Sequence, residues 1–340
     1  MHNPLFDFPM GRRYIRAIRG FYPTASGVER AAKHMANAEL TKAGVIGLGS
    51  MGLGMAQSIA KRAIDVSGFD LDRAAMDKLA ASGGRAATSA ADALRDADVA
   101  LIVVVNAAQA DAVLFGSAGA AGAMKPGGVI IASPTMAPED ARRLAEKAAA
   151  AGLLYLDAPI SGGAAKAALG QLTVMASGSP EAFARARPAL DAIAAKVYEL
   201  GAGVGVGASF KMVNQLLAGV HIAAACEAIT FAAKLGLDLA KVYEVIAASA
   251  GNSWMFENRV PHILDGDYSP RSAVAIFTKD LGIVSDMGRR EKFPLPVAAT
   301  ALQMFLMTAA AGMERDDDAS VARMIAGLTS VRLPDKSEAD

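Results

Sequence analysis

A glycine-rich turn sits between an apolar run and a helical segment, at Gly44-Val45-Ile46-Gly47-Leu48-Gly49-Ser50-Met51-Gly52-Leu53-Gly54-Met55-Ala56. A strand that must turn sharply into a helix, with backbone amides left open at the turn, restricts the fold more than any other stretch. Gly47 suits the tight turn, Gly49 a close backbone approach to a pyrophosphate, and Gly52 the packing of helix against strand. The helix start then offers free N–H groups and the positive end of its dipole to phosphates. A chain with 33 glycines can carry such a pattern by chance, so context decides.

Asp70 supplies that context. It closes Val66-Ser67-Gly68-Phe69-Asp70, eighteen residues after Gly52, where a second strand would end. A carboxylate there accepts hydrogen bonds from ribose hydroxyls and repels a 2′-phosphate, so the pattern favours NAD over NADP. Arg73 follows closely, and a solvated residue in the first turn of the next helix accounts for it better than a phosphate ligand does.

From residue 43 onward, strand-like runs at 43–47, 65–69, 98–105, 128–132 and 153–157 alternate with helical segments. The helices are predicted at 51–62, 72–81, 89–95, 108–114 and 138–151. Such alternation predicts an α/β fold, a doubly wound parallel sheet of the Rossmann type. Further strands at 170–178 and 196–200 flank a helix at 180–194. Gly201-Ala202-Gly203-Val204-Gly205-Val206-Gly207 then breaks the pattern, because so many glycines suit neither element. Beyond it the chain predicts helices at 209–235, 238–250, 253–265, 277–291 and 295–312, an all-α C-terminal domain. The expected organisation is an N-terminal extension over 1–40, a nucleotide-binding domain over 41–204, a helical domain over 205–330 and a tail over 331–340. The extension is arginine-rich and lacks the long apolar core of a secretory signal. Met35 would be a natural start.

With 340 residues, 53% of them hydrophobic, the chain can bury a large core. Lysine plus arginine (34) equal aspartate plus glutamate (34), which gives no reason to expect a nucleic-acid or anionic-membrane partner. The longest uninterrupted apolar run, Val99 to Val105, falls far short of the roughly 20 residues that span a bilayer, so no membrane segment is expected. The lone Cys226 permits no internal disulfide and no cysteine-built metal site, and it fits a cytoplasmic location.

Lys211 follows the glycine break near the start of the long helix, with Asn214 and Gln215 on the same face. An apolar cleft, the positive helix end and a second cation would all lower its pKa, and a lysine so tuned can exchange a proton with a hydroxyl. Asp157-Ala158-Pro159-Ile160-Ser161-Gly162-Gly163 ends in a turn that can present backbone N–H groups and a hydroxyl to a carboxylate. Phe277-Thr278-Lys279-Asp280-Leu281 sets a lysine beside an aspartate; taken alone, that pair reads as a solvated helix face.

The order of the Gly47/Gly49/Gly52 turn, Asp157 to Gly163, Gly205-x-Gly207-x-x-x-Lys211-x-x-Asn214-Gln215 and Lys279-Asp280-Leu281 resembles the β-hydroxyacid dehydrogenase family. That family includes 3-hydroxyisobutyrate dehydrogenase and tartronate semialdehyde reductase, and the resemblance covers residues 43 to about 330. It implies a cleft between the two domains and a small hydroxy-acid substrate. Lys211 and Asn214 match the catalytic pair; Ser161, Gly162 and Gly163, together with Gln215, match the substrate site. The cofactor side corresponds to Gly47, Leu48, Gly49, Ser50, Met51, Gly52, Asp70, Val104, Val105, Asn106, Thr135 and Lys279. Two departures stand out: the frequent Leu-Pro is absent around Val104 to Asn106, and Gln215 replaces a second asparagine.

The stretches Val213 to Ala223 and Ser249 to Arg259 look most like the L-threonate dehydrogenase branch, which implies oxidation of a C4 polyhydroxy acid at its 2-hydroxyl. Asn252 or Ser253 could meet the extra hydroxyls, although Asn and Ser are also preferred helix caps; His221, one heptad from Asn214, could face the cleft or serve equally well as a satisfied core histidine. The apolar long helix predicts a homodimer or homotetramer. A non-catalytic NAD-binding sensor or scaffold would need only the turn and Asp70; the pairing of Lys211 with Asn214 argues against it.

Overall fold

The structure, a computed structural model, describes residues 40–117 and 119–336, so the extension expected over 1–40 lies outside the described residues except for Leu40. The strands are β1 (Lys42–Ile46), β2 (Asp65–Phe69), β3 (Arg85–Ala86), β4 (Val99–Ile102), β5 (Val129–Ala132), β6 (Leu154–Asp157), β7 (Ile160–Ser161), β8 (Leu172–Gly178) and β9 (Ala194–Glu199). They follow the order β3-β2-β1-β4-β5-β6-β8-β7, with β9 beside β8. The strands from β3 across to β6 are parallel, whereas β8 runs antiparallel to β6 and β7. Winding reverses between β1 and β4, and the crevice outside their carboxyl ends is where open α/β sheets bind ligands.

Helices α1 (Gly52–Ala60), α2 (Arg73–Ala81), α3 (Ala90–Leu94), α4 (Ala107–Phe115), α5 (Pro138–Ala150), α6 (Gly163–Ala168) and α7 (Pro180–Ile193) accompany the sheet. Alternate strand residues face opposite sides. Val45, Leu101 and Ile131 pack with Met55, Ile59, Leu79 and Leu190. Ile46, Ile102 and Ile130 pack with Leu94, Leu114 and Leu144 on the other face. Both faces are therefore dry, as near-continuous apolar strands demand.

The helical half contains α8 (Val206–Lys234), α9 (Leu239–Ala247), α10 (Trp254–Leu264), α11 (Val274–Arg290), α12 (Pro296–Thr308) and α13 (Val321–Thr329). Its core gathers Ile222, Cys226 and Ile229 of α8 with Phe256, Val260, Phe277, Leu281 and Phe305. The rings of Phe277 and Phe305 stack at 5.2 Å. Helix α8 and the segment Pro296–Met313 are long and apolar enough to cross a membrane by length and composition. An uninterrupted-run criterion misses α8 because Lys211, Asn214, Gln215 and His221 punctuate it; in this fold it is the helix around which the others pack.

Three differences from the sequence expectation matter for the site. The long helix starts at Val206 rather than Ser209, because Gly205 takes the left-handed cap conformation (φ 97°). Lys211 therefore lies in the second turn, and its distance from the helix end weakens the dipole contribution. The strand expected over 98–105 leaves the sheet after Ile102, freeing Val103 to Asn106 as a loop at the crevice. The two-residue strand β7 and the short helix α6 occupy what reads in sequence as a simple turn.

Candidate active site

The glycine turn has the shape its spacing predicts. Gly47 has φ 90°, and a Cβ there would lie 2.5 Å from the Val103 carbonyl oxygen. A Cβ on Gly52 would stand 1.8 Å from the Gly47 oxygen, so nothing larger than glycine closes this turn. A Cβ on Gly49 would meet no protein atom within 4 Å. Its exposed backbone thus borders open space at the N-terminal end of α1, the geometry that a pyrophosphate requires. Ser50 is exposed and Met51 half-buried at the helix start, while the Leu48 side chain is buried in the core and offers only its backbone.

Asp70 ties this turn to β2. Its Oδ2 accepts the Leu48 N–H at 2.5 Å and its Oδ1 accepts the Asp72 N–H at 2.8 Å. The carboxylate is held half-buried beside the turn, able to accept further donors from a ribose. Arg73 points away: its Nε pairs with Asp77 at 3.0 Å on the solvated face of α2.

Across the crevice, Lys211 is 8% exposed, and its Nζ donates to the Ile160 carbonyl oxygen at 2.8 Å. Burial pushes its pKa down to about 8; nearby Lys279 adds to the fall and Asp280 opposes it. Burial and the expected second cation thus both act on it, whereas the helix end is not among the causes. Ile160 directly precedes the Ser161 turn, where Gly162 and Gly163 have φ values of 138° and 76° that leave their amides unobstructed by side chains.

Asn214 does not reach the ammonium. Its Nδ2 donates to Gln215 Oε1 at 2.9 Å, and Gln215 Nε2 donates to Asp280 Oδ2 at 2.5 Å. Gly219 explains this proximity, since a Cβ there would lie 2.9–3.0 Å from Leu281 and Phe277, so α8 and α11 approach closely. Gln215 is therefore engaged at both ends within the protein.

Lys279 joins the two halves. Its Nζ lies 2.7 Å from Asp280 Oδ1 and donates to the Val105 carbonyl at 2.9 Å and the Thr135 carbonyl at 3.3 Å. Val105, Thr135 and Ile160 all follow the carboxyl ends of parallel strands, so Lys211 and Lys279 face the same edge of the sheet as Gly47. Val104 is half-buried and Val105 is 47% exposed on the loop after β4, and Asn106 Oδ1 caps α4 by accepting the Gln109 N–H at 2.9 Å.

Asp280 is the buried partner of the candidate site that sequence reading passes over. It is 1% exposed, and its position among Phe277, Leu281 and Val284 places it on the buried stripe of α11. That spacing was the available signal; reading Lys279-Asp280 as an isolated surface pair hid it. Local structure accounts for Ser253 and for the amide N–H₂ of Asn252, whose Oδ1 is buried without a hydrogen-bond partner. Ser253 accepts the Phe256 N–H as the cap of α10, and Asn252 donates to the Ala247 carbonyl and the Glu257 carboxylate. His221 is half-buried on α8.

A phosphate-ready turn at the sheet's switch point, with a buried lysine at the same sheet edge, is the arrangement expected of a nicotinamide-dependent oxidoreductase. Residues 42–201 match the NAD-binding domain of 6-phosphogluconate dehydrogenase, and residues 205–325 match the NAD-binding domain of NADP-dependent 3-hydroxyisobutyrate dehydrogenase. The chain belongs to the 3-hydroxyisobutyrate dehydrogenase family of hydroxy-acid dehydrogenases. It is 52% identical over 295 residues to L-threonate dehydrogenase of Cupriavidus necator, covering 87% of this chain and 98% of that one. A solved 3-hydroxyisobutyrate dehydrogenase from Salmonella typhimurium superposes with TM-score 0.81 at 49% identity, covering 84% of this chain and 99% of that one. The Mycobacterium tuberculosis 3-hydroxyisobutyrate dehydrogenase with L-serine does so at 0.72 and 30% identity, with coverages of 84% and 99%.

Proposed function

We propose that this enzyme oxidises L-threonate at its 2-hydroxyl with NAD, giving the 2-oxo acid. The observation that carries the chemistry is Lys211: buried, held by the Ile160 carbonyl, and with its pKa lowered to about 8. When bound, the nicotinamide supplies the hydride acceptor. The Ser161 hydroxyl and the open amides of Gly162 and Gly163 receive the substrate carboxylate. With the acid so anchored beside Ile160, the 2-hydroxyl lies near Lys211 Nζ, which takes its proton on oxidation and returns it in reduction. Asn214, braced by Gln215, orients the substrate hydroxyls, and the Gln215–Asp280 bond fixes that brace. Gly47 to Gly52 cradle the pyrophosphate, and Asp70 selects NAD by repelling a 2′-phosphate. Val104, Val105, Asn106 and Thr135 line the nicotinamide side, with Lys279 holding two of those loops by their carbonyls.

L-threonate is favoured because the C. necator relative bears that activity in its name. The second reading, 3-hydroxyisobutyrate, is supported by the name of the Salmonella structure and uses the same carboxylate and proton-transfer groups. Division into 41–204 and 205–330, a cytoplasmic location and a homodimer or homotetramer complete the proposal. Phe210, Val213, Leu217, Phe231 and Leu235 leave an exposed apolar stripe along α8 that supports self-association. A monomeric mass in light scattering at micromolar concentration would refute that. For the chemistry, Lys211→Ala is expected to lower turnover by about 10²–10⁴ while NADH binding, followed by fluorescence titration, stays intact. Turnover near that of the parent would refute it.

A further inference from the structure

Helix α8 begins without a capping side chain, because its cap residue is Gly205. The N–H groups of its first turn find acceptors in the sheet instead. Asp157, the last residue of β6 and 1% exposed, accepts the Gly205 N–H at 3.0 Å and the Ala208 N–H at 2.8 Å through Oδ2. The Ser177 hydroxyl of β8 donates to the same oxygen at 3.3 Å and accepts the Gly207 N–H at 3.0 Å. Gly207 presses directly on the sheet: a Cβ there would lie 2.4 Å from the Met175 carbonyl oxygen and 2.8 Å from that of Asp157.

These contacts close a ring with the site. Three residues after Asp157, the Ile160 carbonyl holds Lys211 Nζ; three residues after Ala208, on the same face of the helix, stands Lys211 itself. Between Asp157 and Ile160 the chain passes through Ala158 and Pro159, and the fixed φ of proline stiffens that short side. We infer that Asp157 is a positioning residue for Lys211: its carboxylate pins the first turn of α8 to the sheet, so that Nζ lies against the Ile160 carbonyl beside the Ser161 turn. One heptapeptide then sets the distance between the proton-transfer group and the substrate carboxylate. The inference rests on the reading of Lys211 as that proton-transfer group.

The carboxylate is well chosen for this task and expensive to bury. Burial pushes the Asp157 pKa up to about 6, against the opposing pull of its two backbone donors, Ser177 and the nearby Arg142. Tyr155 also feels its charge. An apolar residue would spare that cost but leave two N–H groups of the helix start without an acceptor. The charged groups that act on Lys211 are Asp280 and Lys279, both on α11, so neutralising Asp157 changes Lys211 by moving it rather than by removing a neighbouring charge.

The test compares Asp157→Asn, Ser177→Ala and Lys211→Ala with the parent, using NAD and L-threonate. Asparagine keeps the size and one carbonyl oxygen for the donors that converge on Oδ2, but it removes the carboxylate charge that strengthens those bonds and holds the helix start to the sheet. Asp157→Asn is expected to lower kcat by about 30-fold, the scale of a displaced catalytic group. NADH affinity should stay within about twofold, and the acid limb of the kcat–pH profile should move upward by about one pH unit as Nζ regains water. Ser177→Ala, which leaves Asp157 in place, should move the limb in the same direction by less, and it carries the test if Asp157→Asn does not fold. The inference is overturned if Lys211→Ala is inactive yet the acid limb stays put in the variants that fold, including where kcat falls only in step with melting temperature. An active Lys211→Ala would instead overturn the underlying assignment of Lys211.

Discussion

Replacing Lys211 by methionine removes the ammonium and keeps an unbranched side chain of similar length. Burial holds the Lys211 pKa near 8 against the usual 10.5. At 1.36 kcal/mol per pH unit, keeping this side chain folded at pH 7, where it is mostly charged, costs about 3 kcal/mol. The hydrogen bond to the Ile160 carbonyl offsets about 1 kcal/mol of that. Lys211→Met should therefore be more stable than the parent by about 2 kcal/mol at pH 7 while losing about 10²–10⁴ in turnover. The sign follows from proton binding: the unfolded chain holds this proton up to pH 10.5, the folded chain only to about 8. Stability of the parent therefore rises with pH between those values, and the advantage of the methionine variant fades across the same window. Urea denaturation of both proteins at pH 7 and pH 10.5, with turnover measured alongside, reads both effects. A variant that is less stable than the parent at pH 7, or a stability difference that does not change with pH, would refute a lysine held deprotonatable by burial.

Two other sites separate binding from stability. Asp70→Ser removes the repulsion of a 2′-phosphate, so the ratio of kcat/KM for NAD to that for NADP should fall by about tenfold or more; an unchanged ratio would remove Asp70 from cofactor selection. In the helical half, Arg259 Nε pairs with Asp318 Oδ1 at 2.5 Å, and Asp318 is fully buried. Arg259→Leu strands that carboxylate and should cost about 3–5 kcal/mol by urea denaturation, with kcat per folded enzyme unchanged. A loss under about 1 kcal/mol would show that the ion pair contributes little.

The sheet was legible because its strands are short apolar runs separated by helices, a period switch that few other folds produce. Gly47, Gly49, Gly52 and Asp70 were legible as a group, since the covalent spacing of a βαβ unit fixes where each falls. What could not be read was set by contacts between distant segments. Nothing near Asp280 in sequence marks it as the partner of Gln215; that depends on Gly219 letting two helices close together. The start of α8 at Val206 depends on acceptors from Asp157 and Ser177, residues of the sheet, so local glycine content pointed to a later start. Ser253 shows the reverse: its polarity suggested a substrate contact, and capping of α10 accounts for it.

Substrate choice is read by NADH production from matched concentrations of L-threonate, D-threonate and 3-hydroxyisobutyrate. L-threonate is expected to show a kcat/KM at least about tenfold above the others, the discrimination of a site built to hydrogen-bond a substrate hydroxyl. Preference for 3-hydroxyisobutyrate, or NADH production from none of the three, would contradict that expectation.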